Sequence, residues 1–242
     1  MSLYGGLLFL LFMSGACSLV YELIWVRMLL VVFGVSTYAV STVLTAFMAG
    51  LAIGSLYFGR VADRWSDDRP ETGLKVYGLL ELGIGLFAIL FPTILSGLDE
   101  IYTFLYAVAG ESASFPVLRF LLTAAVLVVP TTLMGATLPV LCKFAIRSVE
   151  GSGAGVGRLY AINTLGAALG CFVAAFVLLP HLGVAGATYL VAAGNFAIGG
   201  VALLLSRKHA QSTDKVLHAA DAEGEGGSES AATGPVPAWL PV

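Results

Sequence analysis

Three ionisable side chains, Glu22, Glu81 and Arg119, interrupt stretches of sequence that are otherwise apolar, and two amides, Asn163 and Asn195, lie in similar surroundings. A charge inside a hydrophobic segment is costly and faces a partner or a water-filled cavity, so binding or proton transfer would be sited at these residues. Measured along a helix at about 1.5 Å per residue, Glu22 lies near one end of its segment and Arg119 just inside the end of another, at a level that lets them pair. Arg27 stands roughly 140° around the helix from Glu22 and is expected to extend to the surface. Glu81 and Asn163 lie about seven and about five residues inside the ends of theirs, near enough in depth to hydrogen-bond across a bundle. Two chemistries are open: a proton or substrate site centred on Glu81, or interhelical ties worth about 1 kcal/mol or less.

Other chemistries find no support. His181 stands alone after Pro180, while His209 and His218 fall in a polar tail. Cys17, Cys142 and Cys171 lie in or beside apolar stretches with no Cys-x-x-Cys spacing and no adjacent histidine, which reads as small core residues, not a metal set. No His-Asp-Ser set or paired-carboxylate site is visible, so no catalytic residue, metal or cofactor is assigned. The run GSGAGVG at 151–157 has the glycines of a phosphate-cradling loop but neither the strand before it nor the soluble helix after it. A flexible turn is expected there. The sequence SGAC at 14–17 has the small residues of a lipoprotein cleavage site, yet no basic residue precedes it and the apolar run continues through Val20.

The elements that must hold these residues follow from composition. Of 242 residues 58% are hydrophobic and only 11% charged, with a mean hydropathy of +0.93, against roughly 25% charged in a soluble domain. The solvent is therefore lipid. A bilayer-crossing helix needs about 20 mostly apolar residues, and about six such stretches occur, at 3–21, 37–58, 74–95, 117–141, 159–179 and 185–206. An all-α integral membrane protein is expected, with a polytopic domain over 1–207. Residues 22–34 either prolong the first helix or lie at the interface, since Trp25 and Arg27 suit a headgroup region.

Basic residues sort by connection. Arg60, Arg64, Arg69 and Lys75 follow the second stretch, Lys143, Arg147 and Arg158 separate the fourth from the fifth, and Arg207, Lys208 and Lys215 follow the sixth. By the positive-inside rule that side and both termini are cytoplasmic. Residues 95–115 form the sizeable outer connection, and Leu98, Ile101, Leu105 and Val108 at helical spacing predict an interfacial helix there. Its Asp99, Glu100 and Glu111 could attract cations, as exposed carboxylates do on many surfaces. From 208 to 242 the chain turns polar, acidic and rich in Gly, Ser and Ala, which predicts a disordered cytoplasmic linker. Pro235 to Val242 regains apolar character, as though a further element were about to begin. The net charge of −3 owes much to this tail, and no basic stripe suggests nucleic acid.

Small residues mark where helices meet. Ala46, Gly50 and Gly54 recur every four residues, and Ser55 with Gly59 repeats the spacing, which offers a smooth stripe for another backbone. The sequence MGATLP at 134–139 lies in a span framed by Pro130 and Pro139, whose backbone hydrogen bonds must be interrupted there.

Four blocks, YELIWVR at 21–27, 36–64 with FMAGL at 47–51, the 134–139 sequence containing Gly135 and Pro139, and YAINTLG at 160–166 with Gly170, together resemble the membrane portion of the fused major-facilitator/spermidine-synthase-like proteins of bacteria. They run through nearly all of the six stretches. The sequence GRVADR at 59–64 also resembles the major-facilitator turn in which an aspartate and an arginine, here Asp63 and Arg64, tie neighbouring helix ends. The resemblance implies six helices matching half of a transporter bundle in a bacterial inner membrane. It also implies an aminopropyltransferase-like domain as partner, downstream or separate, none of whose catalytic features can be placed on this chain. A stand-alone transporter would need a second copy of the half-bundle, or a homodimer, to form an alternating-access path.

Overall fold

The computed structural model describes residues 3–33, 37–65, 71–109, 115–148 and 153–229, and every regular element among them is helical. Apolar residues run on without a strand-like alternation, and in lipid a helix satisfies its own backbone groups. The elements are α1 (Leu3–Phe33), α2 (Thr37–Asp63), α3 (Glu71–Ala109), α4 (Phe115–Ser148), α5 (Gly153–Val173), a π-helical turn at Ala174–Leu178, and α6 (Leu179–Glu229). Gly183, with φ 66° and ψ −176°, breaks the helical path near the start of α6.

Packing is organised in glycine seams. Along α2, Ala46 is buried, a Cβ at Gly50 would run into the Thr131 side chain, and one at Gly54 would run into the Thr132 backbone. Gly135 on α4 abuts the Leu51 backbone in return. Ser55, by contrast, faces outward, and a Cβ at Gly59 would come no nearer than 4.0 Å to Pro139. The seam between α1 and α5 is alike: Gly15 lies on Asn163, Gly166 on Phe12 and Gly170 on Ala16. Gly78 and Gly199 do the same for α3 and α6. Lipid tails give apolar side chains no reason to leave them for one another, so such close approach supplies the cohesion through van der Waals contact.

Register fixes direction. Leu10 and Ser14 meet Tyr77 and Glu81 in order, so α1 and α3 run parallel. The pairings of Phe12 with Gly166 and Ala16 with Gly170 make α1 and α5 parallel as well. Gly78 meets Gly199 while Gly85 meets Ala192 and Asn195, which makes α6 antiparallel to α3. The chain therefore reverses between α5 and the body of α6.

The outside is as apolar as the inside. Phe9, Leu56, Tyr57, Phe104, Phe172, Phe176, Tyr189 and Leu204 are all exposed, far more contiguous apolar surface than a water-soluble body carries. Five helical segments are long and apolar enough to cross a bilayer, the last running from Gly155 to Gln211. This is a multi-pass helical membrane protein.

Several expectations need correction. Of the two alternatives for 22–34, the structure takes the first, with 22–33 prolonging α1 without a break. Where an interfacial helix was expected at 95–115, residues 95–109 are helical as a continuation of α3, held because Leu98 and Tyr102 are buried and the Tyr102 hydroxyl meets that of Thr123 on α4 at 3.0 Å, while 110–114 lie outside the described residues. Helix α4 continues through Pro130 and Pro139, so the two missing backbone donors do not end the span. The glycines from 153 onward open α5, while 149–152 lie outside the described residues. Beyond 207, where a linker was expected, α6 continues to Glu229. Residues 230–242 lie outside the described set.

Candidate functional site

Helices α1, α3 and α6 converge on the side chain of Glu81, which has no solvent exposure. Its two carboxyl oxygens are each taken by a different neighbour: the Ser14 hydroxyl donates to Oε1 at 2.5 Å, and the Asn195 amide donates to Oε2 at 2.7 Å. The Tyr21 hydroxyl then donates to Asn195 Oδ1 at 3.1 Å. One turn away, the Tyr77 hydroxyl caps the network by donating to the Leu10 carbonyl at 3.2 Å. Spacing explains the convergence. Ser14 and Tyr21 are seven residues apart on α1, two turns along one face, and Gly85 lets α3 close on Asn195 without interference.

Aromatic packing extends this cluster along α1. The Tyr21 ring stacks on Trp25 at 5.4 Å, and Trp25 lies 5.0 Å from Phe91 and 6.1 Å from Phe87 on α3. Trp25, expected in a headgroup region, is fully buried between the two helices, and among the described residues its indole Nε1 has no hydrogen-bond partner. Tryptophan reads as an interfacial residue from sequence because its ring is amphipathic. Here the facing phenylalanines take the whole ring.

Other polar residues go elsewhere. The expected bond between Glu81 and Asn163 is not made: Asn163 sits in the α1/α5 seam against Gly15, and Asn195 occupies the place assigned to it. Glu22 is half-buried and among the described residues its Oε2 has no hydrogen-bond partner, while the Arg119 side chain, its expected mate, lies outside the described residues. Arg27 is exposed, as expected of a side chain reaching the surface. At the far end of α2, Asp63 pairs with Lys143 of α4 at 3.8 Å, so the tie between helix ends uses a lysine and not the exposed Arg64. Cys17, Cys142 and Cys171 are free thiols on three different helices.

Chemically, the Glu81 cluster joins helices. Both oxygens accept from protein donors and the group has no solvent exposure, which suits a tie between helices. Sequence depth placed Glu81 correctly within its span but carried no information about which face of which helix it met. The signal that could have found Asn195 was Tyr21 and Ser14 on a common face of α1.

The fold and this cluster define a class, the multi-pass helical membrane proteins. No family model matches the chain, and neither a curated protein nor a solved structure matches it.

Proposed function

We propose that the chain is a six-crossing membrane module, resembling half of a major-facilitator bundle, that anchors an aminopropyltransferase-like domain in a polyamine-handling system. The count rests on length and direction. Residues Gly155–Gln211 would extend about 85 Å as one rod, nearly three times a bilayer's hydrocarbon core, and α6 runs counter to α3 after Gly183.

Half-bundle architecture is favoured by the packing partners. Exchanging α1, α2, α3 with α4, α5, α6 turns the α1/α5 contact into α4/α2, α3/α4 into α6/α1, α1/α2 into α4/α5, and leaves α3/α6 unchanged. All of these pairs are in contact. Two three-crossing units enter the membrane from opposite sides, which is the arrangement of inverted repeats. On this reading both termini are cytoplasmic, as the basic connections require, and the membrane is a bacterial inner membrane.

One observation favours a scaffold over a transport site. The glycines of the blocks that carry the family likeness, Gly50, Gly54, Gly135 and Gly166, are consumed in seams against neighbouring backbones. Their role is to let helices approach closely. A transporter half-bundle for a polyamine or other small solute is the second reading, favoured by the repeat itself.

The test is to isolate the native gene product from membranes and assay spermidine formation from putrescine and decarboxylated S-adenosylmethionine. Activity that copurifies with the membrane-bound protein, and is absent from residues 1–207 alone, supports the anchor. Proteoliposomes of residues 1–207 that accumulate putrescine or spermidine would overturn it in favour of transport.

A further inference from the structure

The geometry points to a binding groove for a zwitterionic aminophospholipid at the Arg27 end of the bundle. A cleft of about 740 Å³ opens there between the end of α1, the middle of α3 and the start of α6, within the roughly 300–1,000 Å³ usual for small-molecule sites. Two backbone features create it. Pro92 cannot donate to the Ala88 carbonyl, which loosens α3 at that level, and Gly183 turns the chain so that Val184 enters α6 from the side.

Opposite charges line this one cleft. Arg27 stands on the α1 wall and Asp99 on the α3 wall, both exposed, and among the described residues neither is ion-paired. The remaining walls are mostly apolar, with Leu30, Val31, Leu95 and Val184 continuing into surface that faces lipid. Val31 is 86% exposed. An occupant must therefore carry an anion for the guanidinium, a cation for the carboxylate, and hydrocarbon for the walls. A phosphate and a primary ammonium on an acylated glycerol supply all three.

Each contact has a distinct chemistry. The guanidinium offers paired N–H donors to phosphate oxygens, and the Asp99 carboxylate accepts N–H donors that an ethanolamine ammonium has and a choline lacks. Phosphatidylglycerol keeps the phosphate but loses the cation. The inference needs only the membrane setting and is independent of polyamine handling.

The experiment is native mass spectrometry of the full chain in detergent, titrated with dioleoyl-phosphatidylethanolamine, -choline and -glycerol, with soluble O-phosphoethanolamine as competitor. Phosphatidylethanolamine is expected to hold the protein about threefold or more tighter than either other lipid, in line with exposed charge pairs. Asp99→Asn should bring ethanolamine binding down to the choline level, and Arg27→Gln should weaken both. Since both side chains are exposed, melting temperatures of these variants should match that of the parent and show that folding is intact. Equal binding of the three lipids overturns the inference, as does an ethanolamine preference that survives both substitutions. Displacement of the lipid by millimolar O-phosphoethanolamine overturns the lipid assignment as well, because it would show a site that ignores the acyl chains.

Discussion

Replacing Gly135 with alanine tests whether the glycine seams hold the bundle together. The new methyl group would lie 2.7 Å from Leu51 Cα and 2.8 Å from its carbonyl carbon, where ordinary contacts are 3.4–4 Å. Because the obstacle is backbone, α2 and α4 must part by roughly 1 Å, a gap that forfeits about a quarter to a half of each contact's attraction along the seam. Overpacking of this kind costs about 1–3 kcal/mol. Gly200→Ala is the control, since a Cβ there meets nothing within 4 Å, and alanine's helix propensity should leave it stabilised by up to about 1 kcal/mol. The assay is reversible unfolding in mixed micelles, followed by far-ultraviolet circular dichroism. If Gly135→Ala unfolds at the same denaturant concentration as Gly200→Ala, close backbone approach is not what stabilises this seam.

Gly183→Ala should destabilise by about 1–3 kcal/mol although its Cβ has open space, because φ 66° with ψ −176° is a region that essentially only glycine occupies; an unchanged unfolding midpoint would refute this. Asn195→Ala removes a donor to Glu81 and the acceptor for Tyr21, orphaning two buried groups at about 1–3 kcal/mol each. Asn163→Ala, outside the network, should stay within about 1 kcal/mol of the parent in the same unfolding measurement. Asp63→Asn should be nearly silent, because the Asp63 side chain is 78% exposed at its contact with Lys143 and such pairs are worth about 1 kcal/mol at most.

Hydrophobic length was legible in the sequence because lipid imposes a single requirement on every crossing. The Ala46, Gly50 and Gly54 stripe was legible too, since four-residue spacing places all three on one face. The partner of that face was not. Gly50 meets Thr131 and Gly54 meets Thr132, and nothing local in α2 names α4. Asn195 was missed as the mate of Glu81 for the same reason: counting residues from a membrane edge gives depth, whereas hydrogen bonding also needs azimuth. Trp25 was misplaced because its apolar face found Phe87 and Phe91, residues more than 60 positions away. The helix beyond 207 was not legible, because a polar, glycine-containing segment carries no helical periodicity of apolar residues.

The seams differ in polarity. Where α1 meets α3, the structure buries Glu81 with Ser14, Asn195 and Tyr21; where α4 meets α3, it places a neutral pair, Tyr102 with Thr123. A carboxyl group is thus not required for helices of this kind to associate. Replacing a buried polar cluster with well-packed apolar groups is often neutral or even stabilising by about 1–4 kcal/mol, so the combined variant Ser14→Ala, Tyr21→Phe, Glu81→Leu, Asn195→Leu should fold and reach the membrane. If the cluster only ties helices, that variant keeps whatever activity accompanies the native module, and the scaffold reading stands. Loss of activity with unchanged unfolding and unchanged membrane attachment would assign the chemistry to Glu81, because the fold would then have been separated from the function at a single side-chain cluster.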